Sequence, residues 1–221
     1  MTRLRTLLAK PWLWSFLAAI LTWLATLAVT GGQGGEGLLT AAFTFATFFV
    51  IVGIGQMFVV TLGPGNVDLS IPATITLAGS VAMKVMDTQD SMILVGLIAA
   101  LACGVIVGIA NYALILILRI PPIIATLSSS FIVQSTAIAY GRGLRVKPPP
   151  LLADFATVTI VGVPLLALLV IGLAMIMGMV LARTIYGRSV LAIGQSSRAA
   201  SLAGISVEMP GPPCVRPTTR S

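Results

Sequence analysis

Apolar stretches of about twenty residues recur along this chain between short polar turns, and nothing else in it constrains the fold as strongly. They are Trp12–Val29, Leu38–Leu62, Val67–Met86, Met92–Leu118, Ile120–Tyr140 and Ile160–Leu181. A hydrocarbon core about 30 Å thick takes about 20 apolar residues per helix, so these stretches allow about six crossings. Strands of a membrane barrel would be short and would alternate in polarity, whereas these runs are long and continuous. The expected fold class is therefore all-α, a polytopic transmembrane helical bundle. Composition agrees, since only 9% of the residues are charged, against roughly 25% in soluble domains.

The net charge of +7 would suggest nucleic acid as a partner of a soluble protein. Here the excess of bases on the cytoplasmic side of membrane proteins accounts for it, so a lipid bilayer is the expected surroundings and no nucleic acid is expected. With the N-terminus inside, Arg3, Arg5, Lys10, Arg119, Arg183, Arg188 and Arg198 are cytoplasmic, and Glu36, Asp87, Asp90 and Asp154 are outside. Arg142, Arg145 and Lys147 then lie outside, against the rule. Cys103 and Cys214 are far apart and histidine is absent, so neither a disulfide framework nor a metal site nor any cofactor is expected.

Polar residues inside the apolar runs are few. Gln56, Asn111, Thr126, Ser128, Gln134 and Ser135 either line a path for a neutral, hydroxyl-rich solute or bond one helix to another, at about 0.6 kcal/mol each. Asp68, in NVDLSIPATITLAG, is an ionisable group at a membrane edge and so a candidate site residue. Asp68 or Ser70 is equally expected to cap the helix that continues through Pro72. Gly96, Ala100, Gly104 and Gly108 form a small-residue stripe at four-residue spacing, along which another helix can approach closely.

The segment Tyr186–Ile205, YGRSVLAIGQSSRAASLAGI, is basic, small-residue sequence directly after a strongly apolar run. Two short helical turns meeting at a bend are expected, with Ser197 capping the second and Gly204 ending it in the left-handed conformation. Such an exposed helix at a membrane face is a docking device. The three prolines of GRGLRVKPPPLLADFATVT suggest a polar loop, and residues 208–221, EMPGPPCVRPTTRS, have the composition of a disordered segment.

Three stretches together resemble one family. GNVDLSIPATITLAG resembles the G-x-x-D-L-S-x-G signature of permease subunits from ATP-binding-cassette importers of the ribose, xylose and galactose type, in the branched-chain amino acid permease-like superfamily. RIPPIIATLSSSFIVQSTAIAYGRG is similar to that family's VPPFIVTLGT region, and YGRSVLAIGQSSRAASLAGISV to its cytoplasmic loop. The chain departs from the pattern at Pro72, where the family has glycine, and at Arg198, where an acidic residue is common.

The resemblance implies a bacterial inner-membrane, multi-pass permease domain over residues 1–207, partial relative to the full permease fold, with 186–205 as the coupling loop. It implies that Gly187, Arg188, Gly194, Arg198, Ala199, Ala200 and Gly204 dock on ATPase subunits. Arg142, Arg145 and Lys147 would then meet an extracytoplasmic solute-binding protein, and a second permease copy or a paralogue would complete the path. Gln56, Asp68, Ser70, Asn111, Thr126, Ser128 and Gln134 would line the way for a sugar or similar small polar solute. None of Lys10, Lys84 and Lys147 stands in a G-x-x-x-x-G-K-[ST] loop, so ATP hydrolysis is left to other subunits and no enzyme activity is expected. Family members continue into further helices, so residues 208–221 are expected to be a truncated or frameshifted end. That leaves two alternatives: a non-functional fragment of such a permease, and an ion-coupled transporter titrating Asp68.

Overall fold

The computed structural model describes residues 11–32, 35–63, 65–142, 147–160 and 162–204. Arg3, Arg5, Lys10, Arg145 and the segment 208–221, all of which carried expectations from the sequence, lie outside the described residues. The described chain is almost wholly helical, as its apolar runs require. Helices α1 (Pro11–Val29), α2 (Gly35–Thr61), α3 (Ile71–Met86), α4 (Ile93–Leu118) and α5 (Pro122–Gly141) come first. They are followed by α6 (Pro150–Thr157), α7 (Leu165–Arg183), α8 (Ile185–Gln195) and α9 (Ser197–Leu202).

Four helical stretches are long and apolar enough to cross a membrane, 37–61, 90–118, 122–141 and 165–183, and two shorter apolar helices, 13–29 and 71–86, complete the set of six. The chain is thus an all-α polytopic bundle. Most large side chains on these helices face outward, such as Leu101, Ile106 and Ile117 on α4, because apolar side chains lose nothing by facing lipid.

Two groups of helices make most of the contacts. In the first, α3 packs against α4 and α5, with Ala73, Val107 and Val133 as its small core. In the second, α2 packs against α7, and α8 folds back onto both. Helices α2 and α3 touch only briefly, where Gly55 leaves room for Ile71. The segment 62–70 between them joins the two groups.

The expected third crossing begins four residues late. Residues 67–70 are not helical, and α3 starts at Ile71 with Pro72 in its first turn, where a missing N–H costs nothing. The stripe on α4 divides in two. Gly96 is buried against Met86 and the carbonyl of Ala82 on α3, whereas a Cβ on Gly104 or Gly108 would meet no neighbour.

A second departure lies between α5 and α7. The expected polar loop contains α6, and the crossing expected from Ile160 starts only at Leu165, after a minimal antiparallel pair, Thr159–Ile160 with Val163–Pro164. Pro150 suits the first helical position, and the Asp90 carboxylate accepts from the Leu151 N–H at 3.0 Å, which supplies the terminal partner a short helix needs.

The helix ends sort into two sets. Asp90 meets α6, and Lys84 lies 4.1 Å from the ring centroid of Tyr140. At the other end of α2, Thr61 meets Gly194 of α8. Asp87, Asp90 and Tyr140 therefore share one end of the bundle, and Thr61, Arg183 and α8 share the other.

Candidate functional site

Segment 67–70 turns the chain into α3 as irregular backbone, and its polar groups find partners inside the protein. Three helices supply them. From α2, Gln56 brackets Asp68: its Nε2 donates to the Asp68 carbonyl, and its Oε1 accepts from the Asp68 N–H at 3.3 Å. From α5, Thr126 Oγ1 accepts from the Leu69 N–H at 3.1 Å. Its own single proton has the carbonyl of Pro122 at 2.9 Å and that of Val67 at 3.2 Å within reach. From α4, Asn111 Nδ2 donates to Ser70 Oγ at 2.7 Å.

Asp68 closes the arrangement. Its Oδ1 accepts from the Ser70 N–H at 2.8 Å and from the Ser70 hydroxyl at 2.6 Å, so Asn111, Ser70 and Asp68 form one directed relay ending on the carboxylate. The expected capping role is therefore changed in detail. Ser70 holds the N-cap position of α3, but its side chain caps no backbone amide; it links Asn111 to Asp68 instead. The carboxylate serves the helix start by fixing this turn, and the positive end of the α3 dipole favours its charge.

Ser70, Asn111 and Thr126 are all buried, at 1%, 5% and 3% exposure. Five of the seven predicted path residues, Gln56, Asp68, Ser70, Asn111 and Thr126, thus converge on one turn. Ser128 and Gln134 do not join them: both are exposed on α5. Asn111 Oδ1 is sealed from water and has no partner among the described residues, a shortfall that costs about 1–3 kcal/mol.

A cleft of about 170 Å³ opens beside this turn, between α3 and α4, lined by Asp68, Ser70, Thr74, Gly104, Gly108 and Asn111 together with aliphatic side chains. Thr74 went unremarked in the sequence because a threonine one turn into an apolar helix carries no signal. Its hydroxyl donates to the Ser70 carbonyl at 2.8 Å.

At the end of the bundle where α2 stops, α8 and α9 form the expected pair of short helices meeting at a bend. Ser196, not Ser197, caps the second of them, accepting from the Ala199 N–H at 3.2 Å. The sequence SS leaves the choice to the backbone, and the extended conformation falls at Ser196, with φ −164°. Gly204 does take the left-handed conformation, at φ +81°. Thr184 caps α8 by accepting from the Gly187 N–H at 3.1 Å.

The small residues of this loop have reasons within the chain. A Cβ on Gly187 would collide with the backbone of Leu181, and one on Gly194 with the carbonyl oxygen of Thr61. Ala200 is 3% exposed. Arg188, Arg198, Ala199 and Gly204 are exposed and form the outer surface of the pair. Of the bases at the opposite end, Arg142 and Lys147 are exposed.

Residues 38–209 match the model of the family described as "Branched-chain amino acid transport system / permease component". Among curated relatives, the autoinducer 2 import system permease protein LsrD of Photorhabdus laumondii is 31% identical over 167 residues, 72% of this chain and 50% of the relative. The autoinducer 2 import system permease protein LsrC of Enterobacter sp. (strain 638) is 27% identical over 205 residues, 92% of this chain and 59% of the relative. The chain spans about half the length of the curated relatives it matches. No solved structure matches it. With a family match over most of its length and an all-α polytopic bundle, the chain belongs to the permease components of the branched-chain amino acid transport type.

Proposed function

We propose that this chain forms part of the translocation path of an ATP-driven importer for a sugar or a similar small polar solute, in a bacterial inner membrane. The observation that carries this reading is the convergence of Gln56, Asp68, Ser70, Asn111 and Thr126 on one non-helical turn beside an open cleft. Irregular backbone at membrane depth is tolerated where it is buried in protein or lines a cavity. The two relatives are import permeases by name, which supports the direction of transport.

Helices α8 and α9 are the proposed seat of a separate ATPase. Arg188, Arg198, Ala199 and Gly204 offer its contact surface, with Gly187 and Gly194 holding α8 against α7 and α2 from behind and Ala200 buried within the pair. The Thr61–Gly194 contact puts this loop one short segment away from the turn at Asp68, so motion of the loop has a route to the path. In this reading the N-terminus is cytoplasmic. Arg142, Arg145 and Lys147 then face an extracytoplasmic solute-binding protein, whose acidic groups would give them a partner. A second permease copy or a paralogue completes the path.

The test is uptake of radiolabelled D-ribose or D-xylose in cells expressing the chain with an importer ATPase and a solute-binding protein. Uptake that stops on ATP depletion and survives dissipation of the proton and sodium gradients is expected. Uptake that collapses with a gradient, and in Asp68→Asn, would replace this reading with ion coupling. No uptake, with the ATPase failing to co-purify, would make the chain a non-functional fragment.

A further inference from the structure

Three polar residues of α5 take no part in the turn at Asp68. Ser128, Gln134 and Ser135 are exposed, and their side chains make no hydrogen bond among the described residues. Neighbouring hydroxyls on the same helix behave otherwise: Ser129 donates to the Thr126 carbonyl at 3.1 Å and Thr136 to the Ile132 carbonyl at 2.8 Å. Gln134 stands well inside the membrane-length span 122–141, about 18 Å along the helix from Pro122. An amide facing lipid there would have nothing to bond with, which is costly.

The rest of this face is organised as a seam. Helix α5 buries its opposite side, Ala125, Val133 and Ala137, toward α3 and α4. Outward it shows Leu127, Phe131, Gln134 and Ile138, at steps of four, three and four residues. That spacing suits a second helix packed alongside at a shallow angle. No charged residue lies between Ile120 and Tyr140, so two such faces do not repel each other. Residues 1–10 and 205–221 hold no apolar run of helix length and do not supply the covering helix.

The chemistry of the seam fits a copy of itself. Two copies with the same charge distribution insert in the same orientation, so the two-fold axis of a closed pair lies along the membrane normal. A helix at that axis runs parallel to its counterpart, and each seam residue meets its own equivalent. A carboxamide carries both a donor and an acceptor, so two glutamines facing each other across the axis satisfy one another reciprocally. Ser128 and Ser135, one heptad apart beside the seam, offer hydroxyls of the same double character.

We propose that the outward face of α5 is the surface by which two copies of this chain pair, with the two Gln134 side chains hydrogen-bonded across the axis. The proposal rests on the permease reading for what the pair does, while the pairing itself stands on the unsatisfied polar groups and the seam.

Oxidative cross-linking in membranes tests it, with the full-length chain expressed alone in a Cys103→Ala, Cys214→Ala background. Phe131→Cys, Gln134→Cys and Ile138→Cys should each give a band of twice the chain's mass with copper phenanthroline. Ile106→Cys and Ile109→Cys, comparably exposed on α4, should not. Gln134→Leu should weaken association of purified chains in detergent about three- to tenfold, read by energy transfer between labelled copies, and leave the Tm of the monomer unchanged. The absence of a dimer band at all three α5 positions overturns the proposal, and so does a band of equal strength at Ile106, which marks random collision. A linked band of any other mass gives the face to a different partner and overturns it as well. So does reaction of Gln134→Cys with a membrane-impermeant maleimide without any dimer band, which gives the face to a water-filled path. Association unchanged in Gln134→Leu removes the glutamine pair from it. None of these measurements needs an ATPase or a solute, so failed pairing and a failed importer reading give different results.

Discussion

Thr126 holds the turn from α5, since its Oγ1 both accepts the Leu69 N–H and lies within bonding distance of the Val67 carbonyl. Thr126→Val keeps the shape and leaves the Leu69 N–H without a partner, so a loss of about 1–3 kcal/mol is expected, measured by denaturant unfolding in detergent. Thr126→Ser, which restores the hydroxyl, should recover most of it. Gly194 and Ala200 behave differently from what a docking surface alone would dictate. Gly194→Ala pushes a methyl into the Thr61 carbonyl and should cost about 1–3 kcal/mol by overpacking even with no ATPase present. Arg188→Glu, at an exposed position, should leave stability unchanged within about 0.5 kcal/mol and reduce ATPase co-purification. Equal loss of stability in both variants would remove this division between inner and outer faces of the loop. A glycine in sequence shows only that something comes close; the structure identifies that neighbour as Thr61.

At the scale of elements, the α3–α4 pair depends on one glycine of its stripe. Gly96→Leu meets Met86 and the Ala82 carbonyl and should separate the two helices, read as a lower Tm and as faster amide exchange in α3. Gly104→Leu, facing open space, should leave both unchanged. Equal effects would show that the stripe acts as one surface. Four-residue spacing was legible in the sequence, and it correctly marked a close approach at Gly96. It could not reveal that Gly104 and Gly108 meet no neighbour while α3 and α4 stay in contact through Ala73 and Val107 as far as Ser70 and Asn111, because spacing along one helix says nothing of which side chains the facing helix presents. Helix α6 was missed for a related reason. Eight residues following three prolines are too short to announce a helix by periodicity, and its capping group, Asp90, comes from 61 positions earlier in the chain.

For the whole molecule, the two sets of helix ends give a prediction about sidedness. Single cysteines placed at Ser197 and at Lys147, in a Cys103→Ala, Cys214→Ala background, should react with a membrane-impermeant maleimide from opposite faces. Ser197 should react only in inverted vesicles and Lys147 only in intact spheroplasts. Labelling from the same face would contradict the pairing of Thr61 with α8 and of Asp90 with α6. The alternation of apolar runs and turns already required opposite faces for these two segments, so that much was legible by counting crossings.

The sequence by itself determined the class of the protein and the set of polar residues worth asking about. Transfer of a segment into a bilayer depends on its own length and composition, quantities that contain no information about neighbours. Tertiary structure alone decided which of those residues belong together. Gln56, Asn111 and Thr126 reach Asp68, Ser70 and Leu69 across 12 to 57 positions, while Ser128 and Gln134, of the same chemical kind, face outward. A buried polar group is settled by the partner that packing brings to it, and packing is a property of helices meeting, which no single apolar run records.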